Sequence, residues 1–354
     1  MTRVLIIRIS SFGDVAMLVP VVHSVAARYP HFRFIVLTRK AFAPLFENIG
    51  FNVSTKSFDI NRHSGFFGLL KLIFSISKGG YTHVADMHDV LRSKIIRKFL
   101  FLQGKKVAHV DKGRAEKKVL IESKETETPL KHMICRYKEV FDKLELPAEI
   151  VYSNYFEFQT RSLYPLRAVI KEKNGNWIGI APFSKHKGKI YPLPKMENML
   201  SSLSNNTNNH IFLFSSGDIE KKIVQQWEEK YPRVISVSGK LNLENEMLLI
   251  SYLDVMISMD SANMHLASLV ETPVVSVWGA THPSLGFYGY KQDPENAVQV
   301  DLPCRPCSVY GDLACTQEDY KCLNEIKESV ILQKVEKVLS AKNNNDKNNG
   351  DNDV

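Results

Sequence analysis

The chain is predicted to be an α/β protein made of two domains, each with an open parallel sheet. Its 354 residues exceed what a single hydrophobic core usually organises. Hydrophobic runs alternate with amphipathic stretches in a strand-then-helix rhythm from the first residues, and that rhythm breaks once and then restarts. Hydrophobic residues make up 44% and charged residues 24%, ordinary globular usage that excludes a disordered chain.

The first series reads as a strand at Val4–Ile9, a helix at Val15–Tyr29, a strand at Phe32–Thr38 and a helix at Ala41–Asn48. It continues with a strand near His83–Asp86, a helix near Val90–Phe101 and a short strand at Lys106–Val110, which together imply a parallel sheet. A polar connection, Lys112–Pro129, precedes a helix at His132–Leu144, and a less regular segment leads to Lys173. The second series places strands at Trp177–Ala181, Ile211–Ser215, Val234–Val237, Val255–Ser258 and Val274–Val277. The expected organisation is therefore a first domain over 1–172, a second over 173–341 and a disordered tail over 342–354. That tail has one apolar residue in thirteen, too few to offset its ordering entropy. No solenoid repeat is visible.

The formal charge of +8, from 46 basic and 38 acidic residues, points to an anionic partner such as phosphate, nucleic acid or a membrane face. The excess is local: ten Lys or Arg lie between Leu91 and Lys118, against Asp111 and Glu116. A solvated helix face explains most of them equally well. The opening MTRVLIIRIS reads as a first strand, since it lacks the small-residue cleavage site of a secretory signal. The most apolar helical stretch, Gly65–Ile76, is shorter than the roughly 20 residues needed to span a bilayer. A buried helix is the preferred reading; Phe66, Phe67, Leu70 and Phe74 beside Lys71 and Lys78 leave an interfacial one open.

Chemistry is concentrated in a few loops. The first strand runs into Ser10-Ser11-Phe12-Gly13-Asp14, which puts a tight turn and an acid at the carboxyl edge of the sheet, where open α/β sheets bind ligands. The dinucleotide fingerprint G-x-G-x-x-G is absent from the chain, which removes the main support for a nicotinamide or flavin enzyme. Asp14 has two readings: a helix cap, or a general base for a sugar hydroxyl with Gly13 allowing close backbone approach. Further on, Asp260-Ser261-Ala262-Asn263-Met264-His265 precedes a strand that ends in Gly279-Ala280-Thr281. A helix starting at Ser261 would aim free N–H groups and a positive dipole end at an anion such as a diphosphate. Taken singly, Lys185, Lys187, Asp260 and His265 each have a structural or solvated reading.

At these residues the chain resembles the ADP-heptose:lipopolysaccharide heptosyltransferase family, glycosyltransferase family 9. The family's pattern is an Asp, a small pair, a His and then a strand ending in Gly-x-Thr, and it opens with a strand followed by Ser-Ser-x-Gly-Asp, as at Ser10–Asp14. A third match is the loop Pro182–Pro192, with Lys189 in the family's phosphate-contacting position and Phe183 where a Gly is usual. Asp86–Ser93 is similar to an acceptor-side segment and Ser216–Glu220 to a donor-side loop. The matches keep the family's order from residue 4 to about 325, nearly the whole chain.

The resemblance implies the GT-B fold, two Rossmann-like domains facing a central cleft, and inverting, metal-independent transfer of heptose from ADP-heptose to a lipid A–core acceptor. Asp14 becomes the base. The donor set is Lys185, Lys189, Asp218, Glu220, Asp260, Ser261, Ala262, Asn263, His265, Gly279 and Thr281; the acceptor set is Arg8, Ser10, Ser11, Gly13, Asp86 and Arg92. No cofactor and no nucleic-acid partner is expected, and the one D-x-D triplet, Asp351-Asn-Asp353, falls in the tail. The implied location is cytoplasmic, peripheral on the inner face of the membrane through the basic Arg92–Lys118 region. A same-family transferase with another donor sugar and a non-catalytic saccharide-binding protein remain as alternatives. Cys304, Cys307, Cys315 and Cys322 have a spacing compatible with a structural zinc site, with reduced free thiols as the preferred reading.

Overall fold

The structure, a computed structural model, describes residues 1–63, 65–170 and 172–350; Asp351-Asn-Asp353 lies outside the described residues. The chain forms two compact units, one from residues 1–114 and 131–159, the other from residues 115–130 and from Thr160 onward. The expectation from sequence is a single boundary, at 172/173.

The first unit is a five-stranded parallel sheet of β1 (Arg3–Ile7), β2 (Arg33–Arg39), β3 (Val53–Phe58), β4 (His83–Asp86) and β5 (Lys106–His109), in the order β3-β2-β1-β4-β5. Val4, Leu5, Ile6 and Ile7 of the central strand are all fully buried, as expected where helices cover both faces of a parallel sheet. Burying each such side chain contributes on the order of 2 kcal/mol. On one face lie α1 (Phe12–Arg28) and, beyond the short α2 (Pro44–Glu47), the later helix of the unit, whose Phe141 ring meets Phe34 edge-on at 6.5 Å. On the other face α3 (Gly65–Ser77) and α4 (Leu91–Leu102) bury Leu72, Ile73, Ile76, Ile96 and Leu100 in one cluster with Leu5, Ile7 and Ile35. Only one side of α3 is therefore buried; Phe66, Phe67 and Phe74 are exposed.

The stretch expected to be a mere connection carries α5 (Arg114–Ser123). Most of it belongs to the second unit: Lys124 donates to the Pro306 carbonyl at 2.8 Å, Leu130 N–H to the Ser284 carbonyl at 2.8 Å, and Lys117 lies over the Phe287 ring at 4.0 Å. The chain then returns to the first unit as α6 (Met133–Lys143). Burial of Lys117 and Leu120 on one face of α5 explains why a polar sequence is ordered there.

The second unit is a six-stranded parallel sheet. Its strands are β6 (Asn176–Ala181), β7 (Asn209–Leu213), β8 (Val234–Ser236), β9 (Val255–Met259), β10 (Val274–Val277) and β11 (Ala297–Val298), ordered β11-β10-β9-β6-β7-β8. The helices between them are α7 (Leu193–Asn205), α8 (Asp218–Lys230), α9 (Leu243–Ile250) and α10 (Ala262–Leu269), followed by α11 (Lys321–Asn324) and α12 (Glu328–Gly350). Ile331 and Val335 of α12 pack into the sheet's core with Met196, Leu200 and Ile257. That helix runs on past Lys342, whose ammonium pairs with Asp254. Backbone hydrogen bonding propagates from the packed turns before it.

Candidate active site

Strand order in an open parallel sheet determines where its loops diverge to leave a crevice. In the first unit the order reverses between β1 and β4, so the residues after each of these strands meet at one edge. The β1 segment delivers Arg8, Ser10, Ser11 and Asp14. Ser11 is the N-cap of α1 and Asp14 its third residue, in a reciprocal capping box. Asp14 Oδ2 accepts from the Ser11 hydroxyl at 2.6 Å and from the Ser11 N–H at 3.3 Å, and the same oxygen pairs with the Arg8 guanidinium. Arg8 is itself buried; it donates to the Met87 carbonyl at 2.6 Å and lies over the Tyr137 ring at 5.9 Å. These contacts converge on Oδ2, and Oδ1 has no hydrogen-bond partner among the described residues. Capping and ion pairing thus coexist in Asp14, with one oxygen left to accept.

The charges around it are interdependent. Burial raises the Asp14 carboxyl, but the Arg8 guanidinium and the two Ser11 hydrogen bonds, helped by Lys112, outweigh it and leave the pKa below the ordinary 3.8. Burial and then Arg8 push Lys112 down to about 8 and His88 down to about 3, so His88 is a neutral imidazole at neutral pH. Its Nε2 lies 3.4 Å from the Ser10 hydroxyl. Sequence alone assigns no site role to Lys112, which it places at the start of a connection and in a basic stretch, or to His88 within the Asp86–Ser93 segment. The available signal was sheet order, because both follow strands that end at the same edge as β1.

Asp86 is not placed to meet a ligand. It is fully buried; Oδ1 accepts from the His88 and Asp89 N–H groups at 2.9 Å each, and Oδ2 pairs with Arg97 at 3.0 Å. Asp86 is the last residue of β4 and points into the structure, so it shapes the loop behind the crevice instead of lining it. Arg97 also reaches Asp89 at 3.0 Å, and Arg114 joins Asp89 at 3.1 Å. Arg92, at the start of α4, stands over the Phe58 ring at 5.0 Å.

In the second unit the order reverses between β6 and β9. The loop after β6 carries the exposed Lys185, then Lys187 over the Tyr320 ring at 4.9 Å, then Lys189. The loop after β9 carries Asp260. Lys189 Nζ lies 3.1 Å from Asp260 Oδ2, and the Thr281 hydroxyl donates to the same oxygen at 2.7 Å. Three motifs distant in sequence meet there. Ser261 is the N-cap of α10, but its hydroxyl sits 3.2 Å from that of Ser258 and does not cap the helix. The first-turn N–H groups beside the half-exposed Ala262 and Asn263 therefore keep their capacity to bind an anion. His265 is buried one turn further on. Phe183, where the family has Gly, packs against the core.

Gly279 has a structural necessity: a Cβ there would sit 2.5 Å from the Gly188 carbonyl oxygen. That same carbonyl accepts from the Ala280 N–H at 2.8 Å, which ties the lysine loop to the Gly279–Thr281 loop. Below them lies Arg305, which sequence reasoning missed. Its guanidinium is buried and donates to the carbonyls of Gly279 at 2.5 Å, Thr281 at 2.9 Å and Trp278 at 3.4 Å, to the Gln299 side chain at 3.0 Å, and to the Val300 carbonyl. No motif announces such a residue, because a cation that collects carbonyls is defined only by the folded loop. At the start of α8, Glu220 accepts from the N–H groups of Ser216 at 2.9 Å and Gly217 at 3.3 Å, while Asp218 is exposed.

All five cysteines are free thiols. Among the described residues no group of three or more His, Cys, Asp or Glu side chains is arranged to hold a metal ion. Cys307 lies 3.4 Å from the Cys304 carbonyl and Cys315 4.0 Å from Asp319; burial pushes Cys322 up to about 11, which keeps it protonated at neutral pH.

Two parallel sheets, each with a polar cluster at its switch point, define the class: an α/β protein with the GT-B fold. The chain belongs to glycosyltransferase family 9 (heptosyltransferase), whose model matches residues 69–316, more than half of its length. The E. coli heptosyltransferase WaaC with ADP-2-deoxy-2-fluoro heptose is similar in fold, with a TM-score of 0.68 and 16% identity over 95% of this chain and 99% of that one. The E. coli ADP-heptose lps heptosyltransferase II gives a TM-score of 0.71 at 16% identity, over 97% and 100% of the two chains. In sequence, a lipooligosaccharide heptosyltransferase 2 of Campylobacter jejuni is 23% identical over 141 residues, 39% of this chain and 43% of that protein. The chain thus matches about two fifths of the length of this curated relative.

Proposed function

We propose that the protein transfers a heptosyl group from ADP-heptose to a lipid-linked saccharide of the lipopolysaccharide core, with inversion at the anomeric carbon. The observation that carries this reading is Asp14: an ionised carboxylate held at the β1 switch point by Arg8 and Ser11, with Oδ1 still able to accept a proton. In the proposed step the acceptor hydroxyl gives its proton to Asp14, its oxygen bonds to the anomeric carbon, and the bond from that carbon to the diphosphate breaks. ADP leaves with the bonding pair. Lys189 and the first turn of α10 offer positive charge to the departing diphosphate. Binding of ADP and of an ADP-heptose analogue by the E. coli relative supports this choice of donor. The acceptor's lipid anchor would bring the protein to the inner face of the cytoplasmic membrane. The test is release of ADP from ADP-heptose, compared with other nucleotide sugars, in the presence of truncated lipopolysaccharide. Turnover with another donor alone would overturn the sugar assignment, and nucleotide binding without turnover would favour a binding protein.

Two predictions arise here. If Lys189 and the first turn of α10 supply the positive charge for the leaving diphosphate, transfer should persist in excess EDTA; complete loss would contradict the proposed step. The pH dependence follows from the depressed Asp14 pKa. A lowered folded pKa means that the ionised form, and the stability its pairing gives, is present above the ordinary carboxylate value and is lost as pH falls through the folded one. The acid limb of kcat/KM should therefore lie below about pH 4. Arg8→Met removes the largest lowering influence and should move that limb upward; an unmoved limb would assign it to another group.

A further inference from the structure

The helix α3 is apolar on two opposite sides. Leu72, Ile73 and Ile76 face the sheet, whereas Phe66, Leu70 and Phe74 recur every fourth residue along the other side, with Phe67 beside them. Three of these rings point outward, with 70% of Phe66, 83% of Phe67 and 59% of Phe74 exposed. Helix α4 packs on the same face of the sheet through Ile96 and Leu100. Its outer side carries Leu91, Ile95 and Leu102, all exposed, at spacings of four and seven residues that keep them on one side of the helix. Two neighbouring helices in one layer thus each spend an apolar stripe on solvent.

The charge on these segments is of one sign. From Gly65 to Tyr81 and from Val90 to Val110 there is no Asp or Glu. Within the basic Arg92–Lys118 region, Lys94, Arg97 and Arg114 are engaged by Asp89, with Arg97 also on Asp86. Lys71, Lys78 and Lys98 are exposed and have no ion-pair partner among the described residues. Aromatic rings flanked by outward lysines suit the boundary between headgroups and acyl chains, where the rings bury apolar surface and the ammonium groups reach lipid phosphates. A second copy of the chain is a poorer occupant, because identical faces would set these lysines against each other.

We propose that the outer faces of α3 and α4 dock on an anionic lipid bilayer, with Phe66, Phe67 and Phe74 inserted at its interface. This rests on the surface alone and not on the sugar chemistry. The test is co-sedimentation of the full chain with phosphatidylethanolamine–phosphatidylglycerol vesicles and with pure phosphatidylcholine vesicles, for the wild type, the triple variant Phe66→Ser/Phe67→Ser/Phe74→Ser, and Lys71→Glu/Lys78→Glu. The wild type should prefer the anionic vesicles. Each variant should partition roughly tenfold or more weakly while keeping its circular dichroism and melting temperature, since the altered side chains are exposed. Equal binding to both vesicle types, or unchanged partitioning of the triple variant, would overturn the proposal. So would a wild type that ignores vesicles and forms dimers that the triple variant dissolves, a result that assigns the face to self-association.

Discussion

Asp14→Asn is expected to lower kcat about 1,000-fold, in the range that removal of a general base produces, equivalent to about 4 kcal/mol of transition-state stabilisation. Asparagine is the informative replacement because it separates the two roles that the geometry combines. Its side-chain oxygen can still accept from the Ser11 N–H and hydroxyl, so the capping box of α1 survives. The lost features are the proton-accepting carboxylate and the ion pair with Arg8. Arg8 keeps its bond to the Met87 carbonyl and its place over Tyr137, which limits the destabilisation to a few kcal/mol. Affinity for ADP, contacted in this account by the other unit, should change little. A variant that keeps most of its activity would reduce Asp14 to a helix cap. The measurement is steady-state ADP release together with ADP titration by calorimetry.

Arg305→Met should destabilise the protein by about 3–5 kcal/mol, because it removes the shared donor of several buried carbonyls. Gly279, Thr281, Trp278 and Val300 would each lose a partner at once. Three of those carbonyls, of Trp278, Gly279 and Thr281, belong to the loop that carries Thr281 to Asp260, so loosening it should also weaken nucleotide binding. Arg305→Lys should recover only part of either loss, since a single ammonium cannot reproduce the planar fork that reaches both Gly279 and Thr281. Urea denaturation and nucleotide titration of both variants check this. Lysine performing as well as arginine would show that charge, and not fork geometry, matters.

The sequence revealed most about segments whose pattern is set locally. β1 reads as a fully buried strand because four consecutive apolar residues leave no alternative, and β10 was placed at the residues where it lies. β3 escaped notice because it is an edge strand in which only Val53 and Phe58 are buried, so its sequence lacks periodicity. The polar α5 escaped for a similar reason: its order comes from contacts with residues far away in sequence. Motifs with short internal spacing, Ser10–Asp14 and Asp260–His265, were visible as candidates, whereas the meeting of Lys189, Asp260 and Thr281 depends on the order of strands. Resemblance assigns Asp86 to the acceptor side, yet its buried carboxylate is taken up by the His88 and Asp89 N–H groups and by Arg97, partners that only the folded loop supplies. Lys112, His88 and Arg305 owe their environments entirely to burial and to neighbours supplied by other elements.

The most direct test is mass spectrometry of a heptose-deficient lipopolysaccharide acceptor after incubation with ADP-heptose and purified protein. An acceptor heavier by one heptosyl residue is expected with the wild type, formed by Asp14→Asn at about a thousandth of the initial rate at equal nucleotide occupancy. An unmodified acceptor with wild-type protein that binds ADP-heptose, or equal initial rates from both proteins, would contradict the proposed transfer.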